Sequence, residues 1–314
     1  MYDLGNTCNY KCWYCFPGAN TGTHPFPDVN IVTKNIKHLI RYYFDYGIKD
    51  INLNLLGGEP TVWKDLSKFI KSLRTEIDLK KGQELRISIQ TNGSRTLRWW
   101  EENGKFLDHI AISVHHEKAD PNHIVAVGNI LEKQGVFCFA TVLMDHKEWD
   151  KCVNLLDSII KLKPNFMVQA VPINIDGTYN YNAEQQKFLK KTMKKRPTLK
   201  QILKHYNLMF KIPTFTGRFS DGSKVKTKNP AYFSLNKYNN FQGWECSIGI
   251  EWVYINRDGE LTGTCNNKLY GKDFYYNIKD ENFIEKFSPN IIPVICKQNC
   301  CLCNGEVTLS KVKL

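Results

Sequence analysis

The sequence has no apolar run approaching the roughly 18 residues that a membrane-spanning helix needs. Its longest, Val136 to Met144, has the length of one buried strand. The opening MYDLGNTCNY lacks the basic and apolar regions of a secretory signal, so neither a membrane nor export is expected and the location implied is cytoplasmic. Internal repeats and low-complexity tracts are missing too. Acidic residues are scarce, 31 against 43 Lys and Arg, and the imbalance is local. Between Lys187 and Lys228 there are thirteen Lys/Arg and one acid, Asp221, so this stretch carries the whole net charge of +12 and the rest is balanced. Phe188, Tyr206, Phe210, Phe215 and Phe219 are interleaved with those charges. Such a segment reads either as a surface for an anionic partner or as a solvated helix face followed by a lysine-rich loop.

Cysteine, by contrast, is abundant. A chain of 314 residues can bury one large core, or a core and a small appended domain, without disulfide staples. Its eleven cysteines bunch near the ends, at 8, 12 and 15 and at 296, 300, 301 and 303, a distribution that suggests metal ligation in a reducing compartment. Cys138 and Cys152 sit in an apolar strand and a helix and read as inert core thiols.

Hydrophobic periodicity alternates between strand and helix over the first two-thirds. Ile36, Leu39, Ile40 and Tyr43 share a helix face, with Gly47 placed to end that helix. Ile51, Leu53 and Leu55 alternate as a strand running into Gly57-Gly58, and Val62, Leu66, Phe69, Ile70, Leu73 and Ile77 mark a second helix. Segments 85–90, 110–115, 137–144 and 166–171 read as further strands. Repeated strand–helix units imply a parallel sheet with helices outside and a site at the strands' carboxyl ends. The residues expected there are Gly57-Gly58-Glu59, Thr91-Asn92-Gly93, His115-His116 and Asp145-His146. After residue 185 the pattern changes to a helix over 199–210, a turn-rich segment over 217–230, and a hairpin from Cys246 through Arg257-Asp258-Gly259 to Cys265.

Three thiolates at Cys8, Cys12 and Cys15 can wrap one cluster and leave one iron of a four-iron cube open, as catalysis requires. The alternatives are buried core cysteines on one helix face, or a zinc ribbon pairing Cys12/Cys15 with Cys300/Cys303. Gly5, Asn6, Asn9 and Pro17 favour a loop over a helix.

This CxxxCxxC after a first short strand resembles the radical S-adenosylmethionine (SAM) superfamily, and other motifs follow in that family's order. Leu56-Gly57-Gly58-Glu59-Pro60 is similar to its GGEP element, Thr91-Asn92-Gly93 to its TNG, and Ser113 in Ile-Ser-Val-His-His to the serine of its fourth strand. Where the family commonly has an acid after that serine, this sequence has His115 followed by His116. The resemblance implies a partial (β/α)6 TIM-like barrel over 1–185, a basic segment over 186–243, and a small cysteine-rich α+β domain over 244–314 similar to Twitch or SPASM extensions. It implies a [4Fe-4S] cluster on Cys8, Cys12 and Cys15, with Tyr14, Gly57, Gly58, Glu59, Thr91, Asn92 and Ser113 contacting SAM. An auxiliary [4Fe-4S] cluster would take Cys246, Cys265 and two of Cys296, Cys300, Cys301 and Cys303, a zinc knuckle being the alternative. His115, His116 and His146 are expected to face the cavity as acid, base or substrate contacts, with Asp176 and Tyr179 as further cavity candidates.

The activity implied is reductive cleavage of SAM, with a flavodoxin or ferredoxin as electron donor, and hydrogen abstraction from a peptide or protein. A nucleotide, nucleic acid or sugar is the second substrate class; a non-enzymatic metal-binding module is a third reading, which the open three-cysteine site disfavours. Only seven residues precede Cys8, so no leader-binding domain is expected ahead of it.

Overall fold

The computed structural model describes residues 1–173, 180–193, 215–218, 224–227, 240–263, 269–270, 274–299, 301 and 309–313. Six parallel strands form its frame: β1 (Tyr2–Asp3), β2 (Asp50–Leu56), β3 (Glu84–Thr91), β4 (His109–Val114), β5 (Phe137–Met144) and β6 (Met167–Pro172). The principal helices between and after them are α1 (Val29–Asp45), α2 (Leu66–Glu76), α3 (Leu97–Asn103), α4 (Pro121–Lys133), α5 (Trp149–Lys161) and α6 (Ala183–Met193). Strand order follows chain order across β1 to β6, which is an α/β partial barrel.

Local chemistry accounts for the element ends. Asp28 caps α1 by accepting from the N–H groups of Asn30 and Ile31. Gly47, at φ +105°, ends the turn after α1, and the Ile48 N–H donates to Tyr43 O at 3.0 Å. On β4 the residues Ile110, Ile112 and Val114 are fully buried under the helices, while Ala111 and Ser113 face the barrel interior. Cys138 lies on the buried face of β5, as expected of a core thiol.

The second half departs from the sequence reading. Residues 215–218 (β7) and 224–227 (β8) pair antiparallel, so the segment read as turn-rich contains two strands too short to show periodicity. The expected helix over 199–210 lies outside the described residues. β9 (Glu245–Cys246) belongs to a five-stranded sheet, ordered β12-β9-β13-β7-β8, with β12 (Val294–Ile295) and β13 (Lys311–Val312). The hairpin around Asp258-Gly259 is therefore shorter than expected: its strands are only β10 (Tyr254–Ile255) and β11 (Leu261–Thr262), and Cys246 is in a different sheet.

That hairpin extends the barrel. β10 pairs parallel with β1, Ile255 opposite Tyr2, giving an eight-stranded sheet ordered β11-β10-β1-β2-β3-β4-β5-β6. A short helix, α7 (Phe283–Lys286), also seats on the barrel: the Asn35 side-chain amide of α1 donates to the carbonyls of Ile278 and Asp280 at 3.0 and 2.8 Å. Ile255, Leu261, Tyr276, Ile278 and Phe283 join one hydrophobic core with the residues of β1 to β5.

Candidate active site

The cysteine loop is placed by backbone pairing that outlasts β1 and β2. Leu4 N–H donates to Leu56 O at 2.9 Å, Gly58 N–H to Gly5 O at 2.8 Å and Glu59 N–H to Thr7 O at 2.9 Å. The two segments thus run on together and deliver Cys8 beside Glu59. The contact is tight: a Cβ on Gly58 would lie 2.4 Å from Thr7 O, and one on Gly57, at φ +145°, 2.6 Å from Gly5 O. Gly58, which also lines the cavity, has no side chain where the cysteine loop passes.

Asn6, fully buried, closes that loop. Its amide donates to Gly18 O, Thr21 Oγ1 and Thr23 Oγ1 at 2.8, 2.8 and 2.9 Å, while its Oδ1 accepts from His24 N–H at 2.7 Å. Asn9 ties the loop to the β3 end: it donates to Ser94 Oγ and accepts from the Asn92 amide at 2.9 and 2.8 Å.

Cys8, Cys12 and Cys15 all line one cavity of about 520 Å³ at the carboxyl ends of the strands. The wall includes Tyr14, Gly57, Gly58, Glu59, Thr91, Asn92, Ser113 and His115, so the motifs separated in sequence converge here. Leu143, Pro172 and Ile173 supply an apolar side, and Asp3, Tyr254 and Arg257 close another. Burial raises all three cysteine thiols, Cys12 to about 12, so ligation of a metal must displace protons.

Glu59 is 1% exposed, and four donors converge on it. Oε1 accepts from Thr61 N–H at 3.0 Å, Thr61 Oγ1 at 2.6 Å and Thr91 Oγ1 at 2.7 Å, and Oε2 from Asn92 N–H at 2.5 Å. Burial pushes its carboxyl above the ordinary range while these donors pull it back. Glu59 therefore fastens the end of β2 to the end of β3. Glu59→Ala leaves two buried N–H groups without acceptors and is expected to destabilise the fold by at least about 2 kcal/mol, with Glu59→Gln costing less. Urea unfolding checks this; equal midpoints for the two variants would contradict it.

The expected histidines separate. Among the described residues, the cavity lining includes His115 but not His116 or His146. Alternation along β4 explains the split, since His115 keeps the parity of the interior Ser113 and His116 that of the buried Val114. His116 Nδ1 is buried 3.5 Å from Glu117 Oε2, and the His146 ring meets Trp13 and Tyr181 edge-on at 5.8 and 6.1 Å. His115 stacks on Tyr14, and burial lowers its pKa to about 4, so it is neutral near pH 7. Asp176 and Tyr179 lie outside the described residues, as do Cys265, Cys300 and Cys303. Cys246 is buried in the main core, whereas Cys296 and Cys301 pack with Phe241 and Trp244.

Several site residues had no signal of their own in the sequence. Arg257 reaches the cavity because β10 docks on β1; its Nε lies 3.3 Å from Asp3 Oδ2, its Nη1 donates to Gly18 O at 3.1 Å, and its charge draws the Cys15 thiol down. Asp145, fully buried at the end of β5, accepts from the Trp13 indole at 2.7 Å. Its N–H donates to Cys152 Sγ at 3.3 Å, a contact of that buried core thiol.

Residues 2–133 match the family model of the Radical SAM superfamily. A GTP 3′,8-cyclase of Psychromonas ingrahamii is 31% identical over 139 residues, covering 42% of this chain and 38% of that protein. The S-adenosylmethionine-dependent nucleotide dehydratase RSAD2 of Oncorhynchus mykiss is 27% identical over 128 residues, covering 40% of this chain and 33% of that protein. The matched stretch thus spans less than two-fifths of either relative's length. The solved structure of native anSMEcpe with bound AdoMet and Kp18Cys peptide shares the fold over 92% of this chain and 80% of that one, with a TM-score of 0.52 and 14% identity. Among the described residues no helix is long and apolar enough to cross a membrane.

Proposed function

We propose that the chain is an enzyme of the radical SAM superfamily, a reading supported by the family match over residues 2–133, that Cys8, Cys12 and Cys15 hold its SAM-binding [4Fe-4S] cluster, and that the cavity around them binds SAM. The observation that carries this reading is the convergence of the three thiols with the GGEP, TNG and Ser113 segments on one cavity. The donor set fits: three thiols on a loop pinned by Asn6 and Asn9 leave one iron for a ligand from the cavity. When bound, the cluster and SAM supply one-electron cleavage of the sulfonium to methionine and a 5′-deoxyadenosyl radical, which takes a hydrogen from the substrate.

The protein's part is to bind, orient and exclude water. The backbone around Gly57 to Glu59 and Thr91-Asn92 would take the methionine end of SAM, and Tyr14 and Ser113 the nucleoside side. Leu143, Pro172 and Ile173 keep that side of the cavity apolar. His115 lines the cavity as a hydrogen-bonding group, with its Nδ1 3.1 Å from the Tyr14 hydroxyl.

For the substrate we infer a peptide or protein side chain, a reading supported by the likeness to the peptide-bound anSMEcpe fold over most of this chain. A nucleotide is the second reading, favoured by the names of the relatives that match about 40% of the chain and by the basic 187–228 segment. Deuterium transfer separates them. A uniformly deuterated peptide pool should yield deuterated 5′-deoxyadenosine, and transfer only from deuterated nucleotides would move the assignment to the second class.

The basic segment has its own test. Changing Lys190, Lys191, Lys194, Lys195 and Arg196 to Gln should weaken binding of a polyanion while leaving SAM cleavage intact. A nucleic-acid partner should show affinity falling by about 0.9 log units per log unit of salt for each neutralised duplex phosphate, or about 0.7 for a single strand. Unchanged binding of every anion by the quintuple variant would reduce the segment to a solvated face. The C-terminal cysteines are proposed to hold a second [4Fe-4S] cluster; iron and sulfide counting distinguishes it from zinc.

A further inference from the structure

His115 sits where the resemblance expects an acid, and its position gives it a task. Its Nδ1 lies 3.2 Å from Cys12 Sγ and 3.1 Å from the Tyr14 hydroxyl oxygen, and that hydroxyl donates to Glu117 Oε2 at 2.8 Å. The Tyr14 proton is thus committed to a carboxylate. Two acceptors then face Nδ1, a hydroxyl oxygen and a sulfur, and the arrangement is satisfied only with the hydrogen on Nδ1. Glu117 fixes Tyr14, and Tyr14 fixes the tautomer and, by stacking at a 6° interplanar angle, the plane of the His115 ring.

A thiolate bound to iron can only accept hydrogen bonds, and each bond to a cluster sulfur withdraws negative charge and favours the reduced state. Cys8 Sγ accepts from the Tyr10 N–H at 3.3 Å, and Cys15 has a backbone donor at Phe16. For Cys12 the donor is a side chain, and it is the one residue of the three that sequence can change. We infer that His115 is a positioning residue of the cluster, donating from Nδ1 to Cys12 Sγ and raising the reduction potential at which an external one-electron donor can load the site. An acid at this position would place negative charge against the same sulfur and act in the opposite sense.

This inference rests on the assignment of Cys8, Cys12 and Cys15 as cluster ligands, and its test keeps the two apart. The full chain, its His115→Leu and His115→Asn variants and a Cys8/Cys12/Cys15→Ala variant are reconstituted anaerobically. Potentiometric titration then follows the reduced-cluster EPR signal that the triple variant lacks. Leu and Asn are near-isosteric, but only Asn offers an N–H. The Leu variant should lose at least about tenfold in the reduction equilibrium, 59 mV for one electron, relative to the parent, and Asn should recover much of it. Equal midpoints for Leu and Asn would overturn the inference. If the parent lacks a signal that the triple variant also lacks, the ligand assignment has failed instead. A second measurement needs no substitution: with 15N-histidine in the parent, pulsed EPR should find one histidine nitrogen coupled to the reduced cluster. Absence of that coupling contradicts the contact even if neither variant loads.

Discussion

Replacing Gly58 with valine is expected to reduce iron at the three-cysteine site to background while the barrel stays folded. The backbone of Gly5 to Thr7 lies against Gly58 with two N–H···O bonds between the two segments, and a Cβ would sit 2.4 Å from Thr7 O and 2.7 Å from Thr7 C. Backbone atoms cannot swing aside as a flexible side chain can, so the whole loop must move. Overpacking of this kind costs about 1–3 kcal/mol in a core, and here the strain falls on the residues that lead directly into Cys8. Loop displacement of even an ångström breaks the common geometry of three thiolates. The variant should therefore lose both the first cluster and SAM binding. Gly82→Val is the control: nothing lies within 4 Å of the Cβ added there, and Gly82, unlike Gly58, has a positive φ, so this variant carries backbone strain without the clash. Full iron loading in Gly58→Val, with unchanged SAM binding by calorimetry, would contradict this account of the glycine.

This expectation adds a packing role to what the motif suggests on sequence alone, where Gly58 is expected to contact SAM. The steric partner of Gly58 is a segment fifty residues earlier in the chain, and no local pattern names it. What was legible was everything periodic: β2 to β6, the first two helices, the end of α1 at Gly47, and the arrival of four motifs at the same end of the sheet. The division between His115 and His116 was also legible in principle. Ile110, Ile112 and Val114 alternate with Ala111 and Ser113, and extending that alternation by two residues puts only His115 on the cavity side.

The remainder depended on tertiary docking. Asp258-Gly259 signals a turn, but nothing in residues 254–262 says that the hairpin pairs with β1, and only that pairing carries Tyr254 and Arg257 to the cavity. Asn6 looks like an ordinary loop residue until its three acceptors, drawn from positions 18, 21 and 23, are brought around it. The strands β7 and β8, four residues each, are too short for alternation to stand out in a lysine-rich stretch.

The central claim is that Cys8, Cys12 and Cys15 carry the chemistry. Each thiol opens on the cavity and has a hydrogen-bond partner at its sulfur, and the remaining six cysteines proposed as metal ligands lie in the second half of the chain. Removing the three together should therefore abolish cofactor cleavage without emptying the C-terminal cysteines, which makes retained iron and sulfide an internal control for folding. The direct measurement is 5′-deoxyadenosine formed by the anaerobically reconstituted full chain, given SAM and a low-potential reductant, against the same chain with Cys8, Cys12 and Cys15 replaced by Ala. The account predicts 5′-deoxyadenosine and methionine from the parent and background from the triple variant, with iron for one four-iron cluster lost between them. Continued reductive cleavage by the triple variant would contradict it.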